Sequence, residues 1–324
     1  MAPMIRTVLL AAALLSVPAA AHAAPVKTLE ARYLFGLADV NGTIRSSWVT
    51  LAYDREHHEL FVADSSEGAV RVYKDNGMEL QRIGGDEDTG FITGVTVKDD
   101  GDLYLMARKN ERTVFLHTDF RGDLIEAIEP HGVPEDFSAG FNPSGLRYAD
   151  GKLYIVDHSA LKTLVIDPTG QYVASYDFHK LIKLEEKVDR AVVMRSFNVD
   201  LSGNMLFTLP SIFKAYVVSP SGEVQSFGTK GSTPGKFNIA GGIARDEQGN
   251  FYVTDLLRAV VMVFDPKFQF IGEFGYRGWG EGRLISPLEL AVSDGKVFVA
   301  QAGRRGVSLF KVAIHDSAPE QAVR

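Results

Sequence analysis

An all-β ring of repeated four-stranded units is the fold this sequence predicts, and three observations predict it. First, six segments of the 324-residue chain align on an apolar run with one large side chain at an equivalent place: Phe61, Tyr104, Tyr154, Leu206, Tyr252 and Phe298. Neighbours in that series are 43 to 52 positions apart, the length of a four-stranded blade. Second, turn sequences recur at fixed places, and glycine there accepts the positive φ of a tight hairpin. Asp100-Gly101, Asp150-Gly151, Ser202-Gly203, Gln248-Gly249 and Asp294-Gly295 precede the middle runs; Asn76-Gly77, Arg121-Gly122, Thr169-Gly170 and Ser221-Gly222 follow the third strands. Third, the last unit stops after its third strand, Val307 to Val312, while a spare strand, Thr28 to Phe35, stands at the other end. That spare strand ends in Phe35-Gly36, as fourth strands end in Ile83-Gly84, Phe227-Gly228 and Phe274-Gly275. Together these predict a six-bladed β-propeller of antiparallel blades, the last closed by the N-terminal strand so that no open edge remains.

Within each unit the order is strand, hairpin, strand, loop, strand, hairpin, strand. The second strands are residues 59–64, 102–107, 152–157, 204–209, 250–255 and 296–301. Asp54 to His58 fills the first hairpin without glycine, and Asp265-Pro266-Lys267 replaces the second hairpin of unit five. The longest break in the repeat, Asp177 to Val193, places Leu181, Leu184 and Val188 at spacings of three and four, with Ile182 beside them. That spacing predicts a short amphipathic helix packed on the disc.

The N-terminus reads as a secretory signal peptide. One positive charge (Arg6) precedes the apolar run Thr7 to Val17, and Ala21-His22-Ala23 is a small-x-small cleavage site. The run is too short for a membrane span, which needs about 20 residues. The expected mature protein is therefore one propeller domain, residues 24–324, periplasmic or extracellular and without a transmembrane span. The chain has no cysteine, so an oxidising compartment gives it no disulfides and burial alone stabilises it. Its net charge of −7, together with export, argues against a nucleic-acid partner.

Several segments resemble NHL repeats. Phe227-Gly228 through Gly235-Lys236-Phe237-Asn238 is followed by Gly241-Gly242-Ile243-Ala244, Gln248 to Asp255 and Val261 to Asp265. Phe274-Gly275 through Gly280-Glu281-Gly282 to Pro287 repeats the connector, and Asn142-Pro143-Ser144-Gly145-Leu146 with Gly151 to Asp157 is a third match. The resemblance covers residues 28 to 312. It implies a fold and leaves the activity open, because propellers host many functions.

Catalytic signatures are sparse. The glycines of Gly275 to Gly282 are explained as a connector between blades, because no helix follows to complete a phosphate cradle. Asp86-Glu87-Asp88 lacks the alternating ligand spacing of a calcium loop and reads as a solvated surface run. There is no G-x-S-x-G, and no histidine pair has H-x-x-H spacing. Lactonase-like and lyase-like propellers place a metal at the central channel on ligands from the innermost strands. Here those strands carry Thr50, Thr96, Arg147, Asn198, Asp200 and Glu289. On that analogy Asn198 and Glu289 are the candidate ligands for calcium or zinc, with His158 in the loop after Asp157, although, with no second ligand nearby in sequence, His158 reads first as a solvated loop histidine.

The loops after the second strands share one face. In the family an Asp ends the second strand and a basic residue follows five positions later, which implies a salt link closing the loop. Asp64, Asp157 and Asp255 keep the acid, Arg112, Lys162 and Lys214 keep the base, and only blade three has both. The same face collects Arg258, Arg304 and Arg305 from the loops of blades five and six, and Arg277, Trp279 and Phe237 from the connectors. Arg and Trp are enriched where proteins grip partners. Two functions therefore remain: a binding scaffold presenting this face to a protein, peptide or glycan through Arg258, Arg277, Trp279, Arg304 and Arg305, or a metal-dependent lyase or lactonase at the channel mouth.

Overall fold

A computed structural model describes residues 26–39, 42–43, 49–64, 66–184, 192–302 and 305–317. The expected signal peptide and cleavage site lie outside the described residues.

Six four-stranded antiparallel sheets form the ring. Their innermost strands are Val49–Asp54, Phe91–Val97, Gly145–Ala149, Ser196–Val199, Ala240–Arg245 and Pro287–Ser293. Each packs against the innermost strands of the two neighbouring blades, so the first and last blades meet. Five blades consist of consecutive strands. In the sixth, the chain's first strand, Val26–Gly36, is outermost and pairs with Gly306–Ser317. Thr28 stands opposite His315 and Tyr33 opposite Phe310, with a bulge before Phe35.

The core is distributed around the ring. The described residues form six apolar clusters, one in each gap between neighbouring blades. Both faces of every sheet are therefore covered. This explains why the second strands read as unbroken apolar runs where a half-exposed strand would alternate. In Phe251–Asp255, Phe251 and Val253 pack toward blade four, while Tyr252 packs toward blade six.

Where the sequence lacks a turn glycine, another residue takes the left-handed conformation. His58 does so at φ 56° in blade one, and Phe268 at φ 63° in blade five. Of the helix expected in the break between blades three and four, residues 185–191 lie outside the described residues. The helix is one turn, Phe178–Leu181, capped by the Asp177 carboxylate accepting from the Lys180 N–H. Lys183 then enters the left-handed region at φ 53°, which ends it. Leu181, Ile182 and Leu184 pack on the cluster between blades three and four; Val188 lies outside the described residues. Among the described residues no helix is long and apolar enough to cross a membrane.

The acidic residues that end the second strands do not act through salt links. Asp157 accepts hydrogen bonds from the N–H groups of Ser159, Ala160 and Asn142. Lys162 instead holds its ammonium over the Phe137 ring, 5.1 Å from the centroid. Asp255 likewise accepts from Asn238, Ile239 and Arg258 N–H. Three backbone donors satisfy a buried carboxylate without a cation, so the basic partner is free to vary between blades.

Candidate functional site

Each end of the central channel opens into a cavity. The one on the face of the second-strand loops and connectors measures about 680 Å³. The one at the opposite end measures about 440 Å³ and is lined mostly by polar and charged groups, among them Asn198, Asp99, Asp200 and Arg245. Arg147 lines both. Its Nη2 donates to Glu289 Oε1 at 3.0 Å. Blades three and six face one another across a ring of six, so this ion pair spans the channel and forms the floor of the larger cavity. Both side chains are 13% exposed.

The larger cavity has apolar walls and a polar floor. Met106, Leu146, Val156, Met194, Phe197 and Leu256 supply the walls. On the floor, burial raises the pKa of Glu289, opposed by Arg147, by the Ser196 hydroxyl and by Arg195. Burial also lowers that of Arg195, opposed by Glu289. Thr50 reaches the same cavity from blade one, and its buried hydroxyl has no hydrogen-bond partner among the described residues.

His158 is a cavity residue, and the reading of it as a solvated loop histidine is corrected. Its ring lies against Gly145, where a Cβ would come within 2.6 Å of the imidazole Cε1. Glycine at that place is thus what lets the ring lie on the strand. Ser144 Oγ accepts the His158 main-chain N–H at 3.1 Å and sits 2.8 Å from Nδ1. The alternative acceptor for the hydroxyl proton, Val156 O, is farther at 3.3 Å. We assign the proton to the shorter contact, which makes Nδ1 an acceptor and leaves the hydrogen on Nε2. Burial drives the His158 pKa down to about 4, aided by the charge of Arg147 and opposed by Asp157. At neutral pH the ring is therefore an uncharged donor.

The three expected metal ligands are not brought together. Glu289 and His158 line the larger cavity, whereas Asn198 opens on the other one. Asn198 is also committed to backbone: Nδ2 donates to Ile243 O, and Oδ1 accepts from Val199 N–H. Glu289 is engaged by Arg147. Among the described residues no group of three His, Cys, Asp or Glu side chains is placed to hold a metal ion. The described residues therefore do not fit a resident calcium or zinc ion.

On the rim, the residues read as a partner-gripping set have diverse fates. Trp279 is 72% exposed, with the Arg305 guanidinium over its ring at 5.3 Å and donating to its main-chain oxygen. Arg277 ties its connector to blade five by donating to Leu257 O at 2.6 Å. Arg258 is committed inside its blade: it pairs with Glu273, and the two side chains are only 10% and 6% exposed. Arg304 lies outside the described residues. Phe237, grouped with this face by sequence, is fully buried core. Among the described residues, none of Arg258, Arg277, Trp279 and Arg305 lines the channel-mouth cavity.

Sequence reasoning missed Ser144, Arg195 and the bridging of Arg147 to Glu289. A signal for the last existed: both residues sit on innermost strands, on blades half a ring apart, with opposite charge. Ser144 and His158 lie 14 positions apart, and only the pairing of Gly145 with Val156 brings them into contact.

No protein-family model matches the sequence, and no curated protein does. Many solved structures match the fold. A structural-genomics protein of unknown function from Bacteroides thetaiotaomicron aligns with a TM-score of 0.64 at 14% identity, covering 89% of this chain and 76% of that one. A catalytically inactive histidine-to-alanine variant of virginiamycin B lyase from Staphylococcus aureus, solved with quinupristin, aligns with a TM-score of 0.54 at 13% identity, covering 88% and 99%. A putative gluconolactonase aligns with a TM-score of 0.55 at 13% identity, covering 89% and 94%. At such identities the likeness is one of fold alone.

Proposed function

We propose that this is an exported binding propeller whose working face is the loop face and whose ligand enters the channel mouth. The ligand is an organic molecule with an apolar body and a polar end. The observation that carries this reading is the cavity of about 680 Å³, with apolar walls and polar groups from several blades converging on its floor. That size and lining are typical of small-molecule sites, for which about 300–1,000 Å³ is the usual range. A propeller of this architecture was solved with quinupristin, which is consistent with the fold offering an organic molecule a place to bind.

Lyase or lactonase chemistry is the second reading, and the Ser144–His158 contact is what favours it. Against it stands the same imidazole, whose pKa of about 4 makes it a weak base at neutral pH. Binding without turnover is therefore the better-supported function. The rim pair Arg305–Trp279 serves as a second contact surface, for a protein, peptide or glycan.

The neutral fluorescent probe N-phenyl-1-naphthylamine tests the cavity. Gly94 lines it, and a Cβ built there meets only Met106 side-chain carbons, at 3.5 and 3.6 Å. Gly94→Leu should therefore take up cavity volume without a backbone clash. Saturable fluorescence with the native protein, weakened at least about tenfold by Gly94→Leu and unchanged by Trp279→Ala, is the expected result. Binding indifferent to Gly94→Leu, or no binding, would refute the site.

A further inference from the structure

We infer that His158 is the residue that selects the ligand of the channel mouth, and that its Nε2–H takes an oxygen that only accepts hydrogen bonds, a carbonyl carried on an apolar body. This rests on the reading of the cavity as the ligand site. It adds the chemical class of the ligand's polar end and the side chain that recognises it.

The ring is held still. Gly145, on the innermost strand of blade three, pairs with Val156, and the imidazole lies against it. A Cβ on Gly145 would come within 2.6 Å of the imidazole Cε1, so the ring rests on backbone that only glycine leaves open. Ser144 Oγ is 2.8 Å from Nδ1 and accepts the His158 main-chain N–H. The His158 carbonyl in turn accepts from the Met194 N–H at 3.1 Å, which ties the loop to the connector entering blade four. A donor fixed in this way loses little freedom when a ligand arrives, and it recognises an oxygen by direction as well as by distance.

The second argument is what the lining still offers. Thr93 spends its hydroxyl hydrogen on Met106 O, and Arg147 donates to Glu289 and to Leu146 O. Arg195 is engaged as well. The hydroxyls of Thr50, Ser159 and Ser211 can each donate or accept, so they distinguish no ligand. The imidazole differs. With Nδ1 committed as an acceptor to Ser144, Nε2 can only donate. Among the described residues no partner meets Nε2, although His158 is half-buried. A ligand that sets an acceptor there completes the donor, and one that sets hydrocarbon or a second donor there leaves it unmatched. Burial drives the His158 pKa down to about 4, so at neutral pH the ring keeps this single role. In a cavity walled by Val156, Met194 and Leu256, a carbonyl sheds its water at less cost than a carboxylate does.

A matched pair of neutral naphthalenes tests the inference. 2-Acetylnaphthalene carries a carbonyl, and 2-isopropenylnaphthalene carries a methylene in place of its oxygen. Each is titrated against N-phenyl-1-naphthylamine on the full mature chain at pH 7, and the quantity read is the ketone's affinity divided by the alkene's. His158→Phe, which keeps a ring and removes the donor, should lower that ratio at least about fivefold. His158→Gln, whose amide still donates, should lose less of it. In the native protein, NMR of the imidazole nitrogens should find the hydrogen on Nε2, and the ketone should shift that nitrogen where the alkene does not. This arm needs no variant, so it decides the matter if His158→Phe fails to fold. A hydrogen found on Nδ1, a ketone that leaves Nε2 unshifted, or a ratio that His158→Phe leaves unchanged overturns recognition by His158 while the cavity stands. A neutral probe indifferent to Gly94→Leu overturns the cavity itself, and the inference with it.

Discussion

Replacing Gly242 with alanine should damage this protein more than its one added methyl group implies. Gly242 lies on the innermost strand of blade five, where the backbone of blade six passes directly against it. A Cβ at this position would meet Glu289 Cα at 2.9 Å, Leu290 N at 3.0 Å and Glu289 C at 3.1 Å. All three are main-chain atoms, so no side chain can rotate away and the two strands must separate by several tenths of an ångström. Overpacking of this kind costs about 1–3 kcal/mol. In a domain of this size that lowers Tm by about 2–10 °C. The displacement also falls on Glu289, so its bridge to Arg147 should loosen. Gly94→Ala is the control. It too is an inner-strand glycine outside the left-handed region, but its Cβ finds only ordinary contact with Met106. It should be neutral or stabilising, by about 0.4–1 kcal/mol through the unfolded chain's lost freedom. Calorimetric melts of the three proteins measure this. Should Gly242→Ala melt within a degree of the native chain, or Gly94→Ala fall as far, the close approach of blades five and six is wrong.

Deleting residues 24–36 removes the outermost strand of blade six and bares the edge of Gly306–Ser317; the truncated chain should melt earlier and aggregate, as light scattering on heating would show. Arg258→Ala should destabilise by about 3–5 kcal/mol, because it strands the Glu273 carboxylate, only 6% exposed, inside the blade. Trp279→Ala should stay within about 0.5 kcal/mol in the same denaturation experiment, because the ring is exposed. His158 should still be neutral near pH 5 in an NMR titration, its signal moving only around pH 4 and vanishing in His158→Gln. The unfolded chain takes up that proton near pH 6.5, so this group's contribution to stability is present above pH 6.5 and is lost as pH falls toward 4.

The architecture was legible because each blade solves the same problem with the same residue types. Turn glycines and apolar second strands announce themselves locally, and the missing fourth strand of blade six matched a surplus at the other end. In the segment after Asp177, periodicity records which side chains face the core and not whether the backbone stays helical: Leu181, Ile182 and Leu184 are half-buried, as their spacing requires, while Lys183 is left-handed. On the rim the sequence shows which face a residue takes and hides what it is bonded to. Arg258 and Arg277 lie on the expected face, but their partners, Glu273 and Leu257 O, are 15 and 20 positions away and carry no mark in the sequence.

The channel mouth became legible only when register was added to repeat. The residue after the end of each second strand falls at one structural position: Arg108, His158, Pro210, Leu256 and Ala302 in blades two to six. Three of these, His158, Pro210 and Leu256, line the larger cavity. The repeat therefore delivers the same backbone site to the mouth from neighbouring blades, and it does not prescribe the side chain. The inner strands do likewise: by strand register Arg147 occupies the place that Ala52 holds in blade one, and Glu289 the place of Thr50. In a ring whose scaffold is nearly sixfold, a function needs asymmetry, and asymmetry can enter only at such unconstrained positions. The strongest departures, a cation on blade three and an acid on blade six, meet across the channel. They also cost desolvation that an apolar plug of equal volume would avoid. A buried ion pair flanked by a second arginine, where the fold itself asks for nothing of the kind, is what a floor selected for its ligand would look like.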